Sequence, residues 1–128
     1  MPNNFYITTP IYYPSAKPHM GHAYSSIIAD FFARFKRLQG SNVFFLTGTD
    51  EHGLKIQRAA EKNKMDPKLF CDQISKTFRD LSTTLNLTNN DFIRTTEQRH
   101  HKSVENIWNI LEKKNEIYLS KYSGWYSV

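Results

Sequence analysis

Sulfur chemistry is almost missing from this sequence: a single cysteine, Cys71, stands among 128 residues. One cysteine cannot build an internal disulfide framework or a cysteine-rich zinc site. It suits a reducing cytosol, so the expected localisation is cytoplasmic. Long apolar runs are missing too. No stretch approaches the roughly 20 residues that a membrane-crossing helix needs, and no membrane partner is expected. The opening MPNNFYITT has neither the basic segment nor the apolar core of a secretory leader. Glycine and proline are scarce at five each, yet Pro10, Pro14 and Pro18 crowd into one stretch. There is no internal repeat and no low-complexity segment.

Aromatic residues are plentiful, with nine Phe, seven Tyr and two Trp, and the chain is 39% hydrophobic. That is enough for the packed core of one globular domain. The formal net charge of +5 fits a polyanionic partner such as RNA. It fits a modest surplus of surface lysines equally well.

The pattern of elements alternates. Asn4 to Thr9 (NFYITT) is a short β-rich run, and the three prolines hold the next stretch as an extended loop. From Met20, apolar residues at Ala23, Tyr24, Ile27, Ile28, Phe31, Phe35 and Leu38 step by three and four, predicting an amphipathic helix that stops at Gly40. Asn42 to Thr47 (NVFFLT) reads as a strand buried on both faces, followed by a polar loop, GTDEHG, over 48–53. Strand, helix, strand at this spacing is a βαβ unit of a parallel sheet. A short helix is expected over Leu54 to Lys62. A second is expected after Asp66-Pro67, with Phe70, Ile74, Phe78, Leu81 and Leu85 on its apolar stripe. Asp91 to Thr95 reads as a third strand. Thr95 with Gln98 forms a capping-box pattern opening a helix whose apolar face carries Val104, Ile107, Trp108 and Leu111. Residues 117–128 alternate as the start of a hairpin, and the end at Val128 in mid-strand suggests a piece of a longer protein. Cys71 and Trp108 are read as core or near-core, and His100 and His101 as solvated helix residues.

Residues 19–22, His-Met-Gly-His, carry the most chemistry. Alone, two imidazoles three apart are metal ligands, phosphate donors or surface residues. A zinc site lacks a third ligand at any suggestive spacing, since the other histidines are only His52, His100 and His101. The flanks favour phosphate: the motif opens a helix just after the first strand of a βαβ unit. Ligands of open parallel sheets gather there, and free helix N–H groups favour anions. Gly21 would let a flat purine approach the backbone, while His19 and His22 would donate to a triphosphate as pyrophosphate leaves. That predicts adenylyl transfer. Asp50 and Glu51 of GTDEHG are expected to face the same crevice, where a carboxylate can hold a substrate ammonium, though solvated loop acids fit the letters as well. Tyr12 and Tyr13 either wall an apolar pocket or pack their loop.

Four segments, PIYYPSAKPHMGHAY, FFLTGTDEHG, DFIRTTEQRH and YSGWYSV, occur in that order across the chain. Together they resemble the N-terminal part of the methionyl-tRNA synthetase family, class I aminoacyl-tRNA synthetases. The resemblance implies the first half of a Rossmann-like α/β nucleotide-binding fold, a parallel sheet with flanking helices, over residues 1–115. Residues 116–128 would begin the connective-peptide insertion. It also implies a ligase that activates methionine with ATP and Mg²⁺ and passes it to tRNA(Met). By resemblance His19 and His22 are catalytic, and His19, Gly21 and His22 bind ATP. Ile11, Tyr13 and Asp50 bind methionine, Asp50 through its amino group. The family's second, lysine-rich signature (KMSKS) has no counterpart here, nor have the zinc-knuckle cysteines of some members. The remaining half of the fold and the anticodon-binding domain are expected beyond Val128, leaving these 128 residues inactive alone. Two other readings remain from the residues themselves. One is a small complete nucleotidylyltransferase using His-x-Gly-His; the other is a non-catalytic remnant binding RNA through its basic surface.

Overall fold

The structure is a computed structural model that describes residues 3–125. The chain divides into two compact units, Met1–Glu97 and Gln98–Val128.

The first unit is built on three parallel strands in the order β1 (Asn4–Thr8), β2 (Asn42–Thr49), β3 (Asp91–Arg94). The β1–β2 crossover is α1 (Met20–Leu38); the β2–β3 crossover is α2 (Leu54–Lys62) followed by α3 (Pro67–Thr84). The end of α1 and the start of α3 fall where their sequence signals predict. α1 ends just ahead of Gly40. The Asp66 side chain accepts hydrogen bonds from the N–H groups of Lys68 and Leu69, with Pro67 in the first turn of α3. α1 lays Ala29 and Ala33 on Val43 and Phe45 of β2, with Phe5 and Ile7 of β1 alongside. A second cluster, Tyr12, Phe78 and Phe92 with Ile74, packs α3 against the carboxyl end of the sheet.

The expectation that β2 is buried on both faces is corrected. Phe45 is fully buried and Val43 nearly so, but Phe44 is 45% exposed and its β1 neighbour Tyr6 is 61% exposed. Those two rings lie 6.0 Å apart on the face opposite α1. Successive strand residues point to opposite faces, and only one face has helices packed on it among the described residues. The sequence run was apolar on both faces because a parallel sheet is normally covered twice. Replacing Phe44 by serine is therefore expected to lower stability by less than about 1 kcal/mol, as at a surface position, measured by urea unfolding of this chain. A larger loss means that face is covered.

A second correction concerns Thr95. α4 (Gln98–Lys113) begins three residues later, so Thr95 does not cap it. The Thr95 hydroxyl instead accepts the Glu51 N–H at 2.8 Å.

The second unit contains α4 and a stretch without regular structure over 116–125. α4 buries none of its residues. Val104, Ile107 and Leu111 do share an exposed apolar face, and Trp108 is 54% exposed rather than core, because nothing among the described residues covers it. His100 and His101 are half-buried rather than solvated. His100 Nδ1 is sealed from solvent without a hydrogen-bond partner. The expected hairpin does not form over 117–125, and its last residues, 126–128, lie outside the described residues.

Candidate active site

The site lies at the carboxyl ends of β1 and β2. The proline loop after β1 continues alongside β2 through a parallel bridge between Tyr12 and Thr49. The Tyr12 N–H donates to the Gly48 carbonyl at 3.2 Å, and the Asp50 N–H donates to the Tyr12 carbonyl at 2.8 Å. This pins Asp50, at the tip of β2, beside the 11–13 segment. Thr9 and Thr47 join the two strands through their hydroxyls at 2.8 Å.

Tyr12 is buried. Its ring stacks on Phe78 at 5.6 Å and its hydroxyl reaches Ser26 Oγ at 3.0 Å. It both packs the loop and forms part of a cavity wall. Tyr13 and Ile11 are half-exposed.

His19 is the N-cap of α1, in extended conformation. Its Nδ1 accepts the Gly21 N–H at 3.1 Å, and His22 Nδ1 accepts the His19 N–H at 3.0 Å. The two histidines thus form a reciprocal capping box, a task usually given to serine and glutamate. Their rings sit 3.9 Å apart. With Nδ1 accepting in both, each neutral ring carries its proton on Nε2, which is left available as a donor. Burial, and then the neighbouring His19, lower the His22 pKa below its ordinary value, which favours the neutral ring. Tyr12 and Phe78 present edge contacts to its ring at 4.8 and 5.0 Å. A Cβ at Gly21 would come within 3.0 Å of the His19 ring, so glycine lets that imidazole fold back over the helix start.

These residues line a cavity of about 220 Å³ formed by Ile11, Tyr12, Tyr13, Lys17, His19, His22 and Lys55, with Ser15 and Ala16 at its side. Asp50 lies outside this lining. Lys17 and Lys55 are site residues that sequence reasoning passed over. Both flank motifs it had singled out, and that adjacency was the available signal.

Glu51 does not face the crevice. It is 4% exposed and turned inward, a correction to the expectation. Its carboxylate receives Arg94 Nε at 2.6 Å and Arg94 Nη2 at 2.9 Å, and also hydrogen bonds from the hydroxyls of Thr49, Thr96 and Ser75. Burial alone would raise its pKa. The Arg94, Ser75, Thr96 and Thr49 hydrogen bonds outweigh that and hold it at about 2. Arg94 also reaches Asp72 on α3. The network ties the segment after Asp50 to β3 and α3. Cys71 is buried nearby, as expected, and burial pushes its thiol up to about 11.

Residues 5–128 match the sequence family described as tRNA synthetases class I (M). The chain belongs to this family. It is 56% identical over 125 residues to the mitochondrial methionine–tRNA ligase of Takifugu rubripes, covering 98% of this chain and 21% of that protein. It is 53% identical over 128 residues to the methionine–tRNA ligase of Rickettsia bellii, of which it covers 25%. Its fold superposes on Mycobacterium tuberculosis methionyl-tRNA synthetase, solved in complex with methionyl-adenylate, with a TM-score of 0.94 and 45% identity. That match covers 98% of this chain and 25% of the other. The resemblance carried by the four sequence segments is thus borne out at the level of the family, and so is the Rossmann-like parallel sheet. The chain spans between a fifth and a quarter of the length of these relatives.

Proposed function

We propose that this chain carries one part of a methionine-activating site, and that the whole ligase of which such a segment forms a part makes methionyl-adenylate and transfers methionine to tRNA(Met). Within that reading, residues 1–115 are the first half of the catalytic domain and 116–128 open its connective insertion. The observation that carries it is the histidine capping box, which fixes two imidazole donors at one cavity beyond the carboxyl ends of a parallel sheet. The adenylate bound to the Mycobacterium tuberculosis relative supports it.

In the reaction the methionine carboxylate oxygen attacks the α-phosphorus of ATP. The bond to the bridging oxygen breaks, and pyrophosphate leaves. Negative charge grows on the phosphate oxygens as that bond lengthens. His19 and His22 donate Nε2–H to those oxygens and stabilise the transition state more than the bound substrate. Their tautomers are set by the cap, so no reorganisation is needed at that moment. Asp50 accepts the methionine ammonium through a charge-assisted hydrogen bond, and Ile11 and Tyr13 contact the methionine side chain. Among the described residues no cluster of three or more imidazole, thiol or carboxylate groups is arranged to hold a metal ion. A Mg²⁺ ion brought with the nucleotide would supply positive charge to offset that of its phosphates, in keeping with its preference for phosphate and water ligands. Among the described residues no helix is long and apolar enough to cross a membrane.

In the natural polypeptide that contains these residues, His22→Ala is expected to slow methionine-dependent ATP–pyrophosphate exchange by roughly 10²–10³-fold with the Michaelis constant for methionine little changed. Asp50→Ala is expected to raise that constant instead. An unchanged methionine constant in the Asp50 variant removes that carboxylate from the site. The 128 residues alone are expected to be inactive in the same assay, and exchange at the rate of a complete ligase would overturn that expectation.

A further inference from the structure

The cavity beside the histidine pair is lined by Lys17 and Lys55 and by no acidic residue. Neither lysine forms an ion pair with a carboxylate among the described residues; Lys55 Nζ rests 5.8 Å from the centre of the Tyr13 ring. Their placement works against local electrostatics. Lys17 lies just ahead of the first turn of α1, and Lys55 lies within the first turn of α2. A helix start carries partial positive charge and is stabilised by acids, not by cations. Neither helix has an acidic residue in its first turn, and Gly53 gives α2 no side-chain cap. Glu51, the next carboxylate along, is fully engaged with Arg94. Two lysines and two imidazole donors thus line one cavity whose wall holds no carboxylate, beside two helix starts without an acidic residue in the first turn. A local arrangement that opposes its own electrostatics is characteristic of a functional site.

We propose that Lys17 and Lys55 bind the polyphosphate tail of the nucleotide, one from each of the two segments that border the cavity. This rests on the methionine-activation reading for the identity of the nucleotide, while the polyanion site itself does not depend on it. Lysine suits the task because its ammonium is a point charge on a flexible four-carbon stem, able to follow a phosphate that moves away as a leaving group. Both side chains are exposed and free to close over a ligand.

Isothermal titration of the natural polypeptide that contains these residues with inorganic tripolyphosphate, and separately with ATP, tests this. Lys17→Ala and Lys55→Ala are each expected to weaken tripolyphosphate binding roughly tenfold, the size of one charge-assisted contact. Lys17→Arg and Lys55→Arg should retain most of the affinity. Lys102→Ala, an exposed lysine of α4, should change nothing. No tripolyphosphate binding by the parent chain, or a Lys17→Ala/Lys55→Ala double variant that binds as the parent does, overturns the proposal. The two readings separate cleanly. Lysine-dependent binding together with full methionine activation by the His22→Ala polypeptide retains the polyanion site and removes the activation role of the histidines. A slowed His22→Ala polypeptide with lysine variants that bind normally does the reverse.

Discussion

Replacing Arg94 by alanine is expected to remove about 3–5 kcal/mol, a large share of what holds a domain of this size together. The side chain of Glu51 is completely buried and that of Arg94 is 18% exposed. The guanidinium meets the carboxylate with two nitrogens, Nε at 2.6 Å and Nη2 at 2.9 Å. Removing one partner of such a pair leaves an uncompensated charge where water cannot reach it. Lysine is expected to recover only part of the loss, since a single ammonium cannot make the paired contact. Acid should act through the same group. Glu51 is held at about 2 in the folded chain against an ordinary 4.5. A depressed carboxylate contributes stability that is complete above about 4.5 and lost as pH falls from there to about 2, on the order of 3 kcal/mol in total. Urea unfolding of parent and Arg94→Ala at pH 7 and at stepwise lower pH measures both effects. The variant should be much weaker at neutral pH and lose far less on acidification. A variant within about 1 kcal/mol of the parent at pH 7 would mean the pair is not what secures this end of the sheet.

Gly48→Ala is expected to be comparably damaging for a different reason. A Cβ at this position would stand 2.0 Å from the Ile93 carbonyl oxygen and 2.7 Å from Ile93 Cγ2. Gly48 and Ile93 are register partners in β2 and β3, so the atom in the way is backbone and cannot swing aside. The strands must separate. With β3 go the burial of Phe92 and the Arg94–Glu51 pair. The cost should exceed the roughly 1–3 kcal/mol usual for an overpacked core, and hydrogen exchange should rise first along 46–49 and 91–94. Wild-type protection of those amides in the alanine variant would show that the sheet tolerates the added methyl.

How much of this could be read from residues alone depended on the range of the interaction. The helices were legible because their signals are local: the step of three and four in α1, Gly40 behind it, and Asp66-Pro67 ahead of α3. His19 and His22 were legible as a pair at a helix start, though not that they cap it, because a histidine capping box has no common sequence precedent. Glu51 was misread because Asp50 and Glu51 are adjacent letters on opposite sides of a strand end, and only the partner Arg94, 43 residues away, decides which turns inward. Thr95 was misread for the same reason, since its hydroxyl serves Glu51 rather than the nearer helix. Phe44 and Trp108 were assigned to buried faces from apolarity, which states what a face can pack against but not whether anything does. Lys17 and Lys55 were passed over because lone lysines are the commonest surface residues, and it takes the cavity to set them apart.

Among the described residues the sheet is all parallel and has no hairpin. Asn4 pairs with Asn42 and Leu46 with Asp91, so every strand contact closes a loop of about 40 residues. A growing chain leaving the ribosome therefore meets its partners late. The first pairing must wait until β2 is made, and Glu51, already synthesised, stays without its guanidinium until Arg94 emerges. Until α3 has been made, α1 is the only long helix whose residues are complete, and its phenylalanine-rich side is open to other chains. Long closures also make for slow folding. Translation speed between positions 50 and 94 should accordingly affect the yield of folded protein more than speed anywhere earlier.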